Sequence, residues 1–260
     1  MQRRRFYAQH QDIIGAIVML SGDETHHLAR VLRLKPGDEA FVFDGRGHEY
    51  RCSFLKVEKD CARLEVIEEL LDTVESPVRI TLGQSLAKAE KFDLIVQKAT
   101  ELGVSSIVPL LADHADVKLT GERWEKRLDR WHRISLEALK QCGRRTIVEI
   151  RDPMSLRELL DIEAPRPGEQ PVETRVVFVF SEKGGAFVDA ALAAAAAASA
   201  VTVLVGPEGG WSDDEFSLFA ERGVKPVTLG PRTLRTETAA IVATALIQHA
   251  LGDVSRDPRP

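Results

Sequence analysis

Two strand-loop-helix segments near the C-terminus constrain the fold of this 260-residue chain more than any other feature. The apolar run 201–205 leads into the glycine-rich loop 206–210, and a helix is predicted to begin after Ser212. The run 227–229 leads in the same way into a polar loop, which an apolar helix follows. Strands that alternate with helices are typical of a mostly parallel sheet, in which ligands bind beyond the carboxyl ends of the strands. The sequence therefore predicts a ligand site at these two loops.

The alternation of strands and helices begins after Pro77, where we place a domain boundary, and the residues before it have a different pattern. Further strands are predicted at 78–82, 104–111, 146–150 and 175–180, and helices at 90–102, 122–141 and 190–200. Short strands at tight spacing, near 39–43, 49–57 and 61–67, favour a small barrel before the boundary. We therefore expect a β-barrel domain at 1–75, an α/β domain at 76–252 and a flexible tail at 253–260.

Composition narrows the class of protein. A hydrophobic content of 44% and a charged content of 29% indicate a folded chain, and no apolar run is long enough for a membrane span or a signal peptide. The three cysteines are odd in number, far apart and without zinc-ligand spacing, which favours a reduced cytoplasm and no metal site. The net charge of -5 leaves room only for local basic patches.

The chemistry of the two loops has a structural alternative in each case. Loop 206–210 is neither a Walker A motif nor a dinucleotide fingerprint, so a tight turn that needs glycine explains it equally well. Ser212 and Glu215 fit a helix capping box. Loop 230–238 concentrates two arginines, three threonines and a carboxylate, although a solvated loop with a capping threonine would also fit.

The motifs themselves resemble one family. LVGPEGGWSDDE at 204–215 and LGPRTLRTETA at 229–239 resemble the bacterial ribosomal small subunit RNA methyltransferase E family, the 16S rRNA uracil-N3 methyltransferases of the SPOUT superfamily. HHLARVLRLKPGD at 26–38, KATELGVSSIVPL at 98–110 and ALKQCGR at 138–144 resemble its other motifs, in the same order. Thr233, where isoleucine is expected, and Cys142, where a small polar residue is commoner, are small departures.

This resemblance implies a SPOUT-type parallel sheet with a C-terminal trefoil knot, a PUA-like, RNA-binding N-terminal barrel and a homodimer. It also implies that S-adenosyl-L-methionine binds between three loops, with its adenine among apolar leucines. The implied cofactor-binding residues are Phe180, Ser181, Leu204, Val205, Gly206, Pro207, Glu208, Gly209, Gly210, Leu229, Gly230, Leu234 and Thr238.

The resemblance further implies methylation of N3 of a uridine in 16S rRNA of the small (30S) ribosomal subunit. That nitrogen must lose a proton, and arginine donors stabilise the charge that spreads onto the ring oxygens. Arg235 and Arg232 are the expected donors. Glu237 is the expected base or arginine orienter, with Glu208 as a weaker base, although charge complementarity at a helix N-terminus would equally explain Glu237.

RNA binding needs exposed cations. The expected phosphate contacts are Arg3, Arg4, Arg5, Arg30, Arg33, Lys35, Arg144 and Arg145. Two other functions stay open: a SPOUT methyltransferase that acts on the ribose 2′-oxygen, and a non-catalytic knotted RNA-binding assembly factor. The RTETA and HHLARVLR motifs favour the uracil enzyme over the first alternative.

Overall fold

The computed structural model describes residues 3–72, 74–115, 121–164 and 174–254. The described residues form two compact units, one from Met1–Glu75 with Leu136–Ile147 and the other from Ser76–Ser135 with Val148–Pro260. Segment 136–147, which the sequence analysis assigned to the second domain, thus belongs to the first unit, because ion pairs described below hold it there. Of the expected tail, residues 255–260 lie outside the described residues.

The first unit is built around one six-stranded sheet. Its elements are β1 (Arg5–Tyr7), a 3-10 turn (His10–Asp12), β2 (Ile13–Ile14), β3 (Ile17–Ser21), α1 (Gly22–His26), a π-helical turn (His27–Val31), β4 (Glu39–Phe43), β5 (Glu49–Glu58) and β6 (Cys61–Leu70). The strand order is β1-β4-β5-β6-β3-β2, and only the β1–β4 pair is parallel. The strands predicted near 39, 49 and 61 are confirmed. Among the described residues no pair between β1 and β2 closes the sheet, so the small barrel that was predicted is an open one.

The second unit alternates strands with helices, as the sequence predicted. Its elements are β7 (Arg79–Ser85), α2 (Ala89–Glu101), β8 (Ser106–Leu111), α3 (Glu122–Cys142, whose last residues belong to the first unit), β9 (Glu149–Ile150), β10 (Met154–Ser155), α4 (Leu156–Glu163), β11 (Arg175–Phe180), β12 (Ala186–Phe187), α5 (Val188–Ala194), β13 (Ala200–Val205), α6 (Asp213–Glu221), β14 (Pro226–Thr228) and α7 (Thr236–Ala250).

Every strand pair of this second sheet is parallel, which confirms the predicted sheet type. The order is β10-β8-β7-β13-β11-β14-β12, with β9 beside β8. Helices cover both faces: residues of α2, α3, α5 and α7 pack in one core cluster, and residues of α4 and α6 pack in the other. Alternation along β13 divides its side chains between the two clusters, so that Val203 and Val205 lie on one face and Leu204 on the other.

The alanine-rich run 190–200 was predicted as a single helix, and this prediction is wrong at its C-terminal end. Helix α5 ends at Ala194, and Ala200 already belongs to β13, where it pairs with Arg79 and Arg175. Burial between two parallel strands outweighs the helix propensity of alanine at that position. The predicted capping box at α6 is confirmed, because Glu215 N–H donates to Ser212 Oγ over 3.1 Å and Ser212 N–H donates to Glu215 Oε2 over 2.7 Å.

Candidate functional site

A pocket lies in the second unit at the carboxyl ends of three neighbouring strands. Phe180 ends β11, Val205 ends β13 and Thr228 ends β14, and the loop after each strand forms part of the wall. The pocket encloses about 740 Å³ including its open mouth. Because β11 lies between β13 and β14, it is the loop after Phe180 that joins the two glycine-containing loops into one site.

Most of the predicted cofactor-binding residues line this pocket: Phe180, Ser181, Val205, Gly206, Pro207, Glu208, Gly209, Leu229, Gly230 and Leu234. Three do not. The side chain of Leu204 is fully buried in the opposite core cluster, so it cannot flank a bound adenine as the sequence analysis expected. Gly210 contributes its carbonyl to His114, and Thr238 is exposed in the first turn of α7. Three other threonines, Thr228, Thr233 and Thr236, line the pocket instead.

Sequence reasoning missed several lining residues: Glu182, Trp211, Thr228, Thr233, Thr236 and Ala239. Each is adjacent or close in sequence to a predicted position, so the predicted loops line the pocket although these individual side chains were not predicted. Gln84 was missed as well, although a polar residue near the carboxyl end of the apolar run 78–86 was a signal that could have found it.

Trp211 forms the floor beneath the glycine loop. Its ring is fully buried, meets Phe219 edge-on at 5.2 Å, and donates a hydrogen bond from Nε1 to the carbonyl of Phe180 over 3.0 Å. A Cβ atom at Gly206 would lie 2.9 Å from this ring. The loop after β13 can therefore rest on the tryptophan only because residue 206 has no side chain.

Thr236 connects α7 to the same loop. Its hydroxyl donates to the carbonyl of Gly206 over 2.9 Å and accepts a hydrogen bond of 2.9 Å from the Gln84 side-chain amide. The same amide nitrogen also donates to the Ser85 carbonyl over 2.9 Å. Gln84 and Thr236 are both buried. The carboxyl ends of β7 and β13 and the start of α7 are thus fixed by one short chain of hydrogen bonds.

The loop after β8 supports the far side of the glycine loop. The imidazole Nδ1 of His114 lies 3.1 Å from the Gly210 carbonyl, and the Ser212 hydroxyl donates to Asp113 over 2.5 Å. An ion pair joins Lys91 to Glu208. The pair attaches Glu208, at the glycine loop, to α2.

The predicted catalytic residues occupy different places around the pocket. Arg232 lines it and is exposed. Arg235 is exposed at the position just before α7, and Glu237 is half-buried in the first helical turn, but neither lines the pocket. One carboxylate oxygen of Glu237, Oε2, is buried without a hydrogen-bond partner among the described residues. Within the same residues, no group of three or more His, Cys, Asp or Glu side chains could hold a metal ion.

Three of the predicted RNA contacts are buried in the first unit. Arg5 donates to Glu49 over 2.6 Å, Arg145 donates to the other oxygen of Glu49 over 3.1 Å, and Arg144 donates to Glu75 over 2.9 Å. Each of the three arginines is less than 8% exposed. A buried guanidinium has no surface to offer a phosphate, so we correct the assignment of these three residues from RNA binding to structural ion pairs.

The remaining predicted cations, Arg3, Arg4, Arg30, Arg33 and Lys35, are exposed in the first unit. Arg3 lies over the Phe41 ring at 4.9 Å, and Arg4 is 3.6 Å from Asp38. Ion pairs between exposed groups are weak, so such contacts do not prevent these side chains from reaching a phosphate.

Comparison with known proteins identifies the family. An RNA methyltransferase domain model matches residues 74–248, and an RNA methyltransferase PUA domain model matches residues 20–67. The ribosomal RNA small subunit methyltransferase E of Aquifex aeolicus is 34% identical, over 94% of this chain and 98% of that protein. The chain belongs to the ribosomal RNA small subunit methyltransferase E family.

Solved structures agree with this assignment. A ribosomal RNA small subunit methyltransferase E from Neisseria gonorrhoeae, bound to S-adenosyl methionine, is 33% identical with a TM-score of 0.84 over 97% of this chain and 99% of that one. The putative methyltransferase Lpg2936 from Legionella pneumophila, in complex with its cofactor SAM, is 31% identical with a TM-score of 0.86 over 98% of this chain and 100% of that one. In the described part of this chain, no helix is long and apolar enough to cross a membrane.

Proposed function

We propose that this protein is an S-adenosyl-L-methionine-dependent methyltransferase that methylates N3 of a uridine in 16S rRNA of the small ribosomal subunit. The observation that carries the proposal is the three-loop pocket at the carboxyl ends of β11, β13 and β14, in a chain of this family. The support for a uracil acceptor is the RTETA motif at 235–239, which follows the third loop.

The pocket residues fit this methyl donor in their chemistry. Val205, Leu229 and Leu234 offer apolar surface for an adenine, and the loop backbone offers carbonyl and N–H groups for its edge. Gly206, resting on Trp211, allows the backbone to approach a ligand closely. When bound, S-adenosyl-L-methionine supplies an electrophilic methyl group, so the protein needs chiefly to orient the acceptor and exclude water.

The chain's own residues then act on the acceptor base. Arg232, which lines the pocket, and Arg235, which precedes α7, donate to the uracil oxygens as negative charge spreads onto them. Glu237 orients these arginines from the first turn of α7 or takes the N3 proton itself. The five exposed cations of the first unit hold the RNA backbone.

The proposal includes a trefoil knot in the second unit and a homodimer. Support for the dimer comes from α7, where Ile241, Val242, Ala245 and Leu246 form an apolar surface that is only half-buried within this chain. A second copy would cover that surface. Sedimentation at low micromolar concentration should show a dimer, and a monomer with full activity would contradict this part of the proposal.

Single-turnover methylation of 30S particles from a strain that lacks the gene tests the activity, with modified positions mapped by mass spectrometry. We expect one N3-methyluridine in 16S rRNA. Methylation of a ribose 2′-oxygen would favour the first alternative, and cofactor binding without transfer to any RNA would favour a non-catalytic assembly factor. Calorimetry with S-adenosyl-L-methionine provides the separate measurement of binding.

A further inference from the structure

A second cavity, of about 690 Å³ including open solvent, adjoins the cofactor pocket. The two cavities share five residues: Glu182, Thr228, Gly230, Arg232 and Thr233. The second cavity adds Gly184, Phe187 and Pro231. A group held in it therefore lies directly beside a ligand in the first, which is the relation that methyl donor and acceptor require.

Phe187 is the unusual member of this cavity, because it is 77% exposed. Its backbone is nevertheless fixed: β12 pairs with β14, Ala186 with Val227 and Phe187 with Thr228. Gly185, at φ +155°, comes so close to the chain at Pro226 that a Cβ atom would lie 2.3 Å from its carbonyl oxygen. The fold thus holds an aromatic ring in solvent at the edge of the site, and such rings are the surfaces on which splayed-out RNA bases stack.

The polar groups of the cavity match a base edge on which a ring N–H lies beside a carbonyl oxygen, as in uracil. Arg232 offers guanidinium donors and Glu182 offers carboxylate acceptors. A uracil presents its N3–H between two carbonyl oxygens, so it can donate to a carboxylate and accept from an arginine along a single edge. Cytosine has no proton at N3 and would place a lone pair against the carboxylate.

The Glu182 carboxylate lies against the glycine loop. Its Oε1 lies 2.5 Å from where a Cβ atom of Gly210 would be, so this oxygen packs against the loop at a place that only glycine leaves open. Glu182 lines both cavities, whereas Glu237 lines neither. Of these two carboxylates, only Glu182 is therefore placed between a donor in the first cavity and an acceptor in the second.

We propose that the second cavity is the acceptor-base subsite, in which a uracil stacks on Phe187, accepts from Arg232 and gives its N3 proton to Glu182. This rests on the proposed function. The N3–H bond breaks, its proton passes to the carboxylate, and the nitrogen electron pair forms the bond to the methyl carbon. The S–CH₃ bond breaks with its electron pair remaining on sulfur, and the protonated Glu182 later releases its proton to water. Glu237 is then left as an orienter of the arginines.

The test begins with a binding readout that needs no turnover. Saturation-transfer NMR of the wild-type protein with S-adenosylhomocysteine should show contact to the ring protons of uridine monophosphate, and much weaker contact to cytidine monophosphate. Phe187→Ala should abolish the uridine signal, and Ile162→Ala, another exposed apolar residue of the same unit, should preserve it. Equal signals from uridine and cytidine, or an unchanged signal in Phe187→Ala, would overturn the subsite.

Kinetics on 30S particles separate the roles. Phe187→Ala and Phe187→Leu should each lower kcat/KM for RNA about tenfold, and Phe187→Tyr should restore it, because stacking needs a ring and not merely an apolar group. Glu182→Gln should lower the single-turnover rate at saturating cofactor by about 100-fold or more. A fully active Phe187→Leu, or a dimer-to-monomer change in Phe187→Ala, would assign Phe187 to a protein contact instead. A wild-type protein that binds no cofactor would refute the proposed function rather than the subsite.

Discussion

Replacing Gly206 with alanine tests whether Trp211 and the glycine loop form one rigid wall of the cofactor pocket. The new Cβ would lie 2.9 Å from Trp211 Cε2 and 3.0 Å from Nε1, while ordinary contacts begin near 3.4 Å. The ring, or the loop, must therefore move by about 0.5 Å to restore an ordinary contact. The ring cannot move far, because it is fully buried against Phe219 and bonded to the Phe180 carbonyl.

Overpacking a buried site of this kind costs about 1–3 kcal/mol in the free energy of unfolding. A strained loop should also bind its ligand less well, and about 1.4 kcal/mol of that strain would lower cofactor affinity about tenfold. Ser217→Ala is the control. It also introduces an alanine, in the helix that follows the glycine loop, but at an exposed position that lines neither cavity. We expect the control to change stability by about 0.5 kcal/mol or less.

The assay is calorimetric titration with S-adenosyl-L-methionine beside thermal unfolding of the wild type and both variants. Gly206→Ala should lower both cofactor affinity and melting temperature, and Ser217→Ala should leave both close to those of the wild type. If Gly206→Ala binds the cofactor as tightly as the control does, the loop after β13 is not held against the tryptophan, and the reasoning about this wall fails.

Three further predictions address the arginines and the buried thiol. Arg232→Ala and Arg235→Ala should lower the single-turnover rate by up to about 100- to 1000-fold, and the loss should be larger for Arg232, which lines the pocket. Lysine at either position should restore the rate only in part. If all these variants react at the wild-type rate, neither arginine takes part in the chemistry. Glu49→Gln should lower the free energy of unfolding by about 3–5 kcal/mol in denaturant titrations, because it leaves Arg5 and Arg145 without their shared buried carboxylate; a change below 1 kcal/mol would show that the ion pairs are dispensable. Burial raises the pKa of the Cys52 thiol to about 12. Iodoacetamide at pH 8 should therefore leave Cys52 unmodified in the folded protein and alkylate it after unfolding. Rapid alkylation of Cys52 in the folded protein, detected by mass spectrometry, would contradict its burial.

The parts of the molecule that the sequence predicted correctly depend on local pattern. The apolar run of β13 can be recognised from a few neighbouring residues, and so can the capping box of Ser212 and Glu215. The parallel sheet follows from the alternation of such segments. The position of the pocket then follows from the rule that ligands bind beyond the carboxyl ends of parallel strands.

The errors share a different origin, because each depends on contacts between residues far apart in the chain. Arg144 and Arg145 read as a basic run, and only their pairing with Glu75 and Glu49, 69 and 96 positions away, shows that they are buried. Leu204 was assigned to the pocket from its motif, although the alternation of side chains along β13 directs it to the opposite face. A motif locates a loop and not the direction in which each of its side chains points.

The site divides its residues between two physical environments, and this division predicts how variants will behave. Trp211, Gln84 and Thr236 are buried and tie three strand ends together, so their loss should disturb folding and binding at once. Glu182, Phe187 and Arg232 line one or both cavities and are exposed, and Arg235 is exposed just before α7. Changes at exposed positions usually alter stability by less than about 0.5 kcal/mol, so variants there should fold normally and still lose transfer. A melting temperature measured beside each rate therefore distinguishes residues that build the pocket from residues that act on the base.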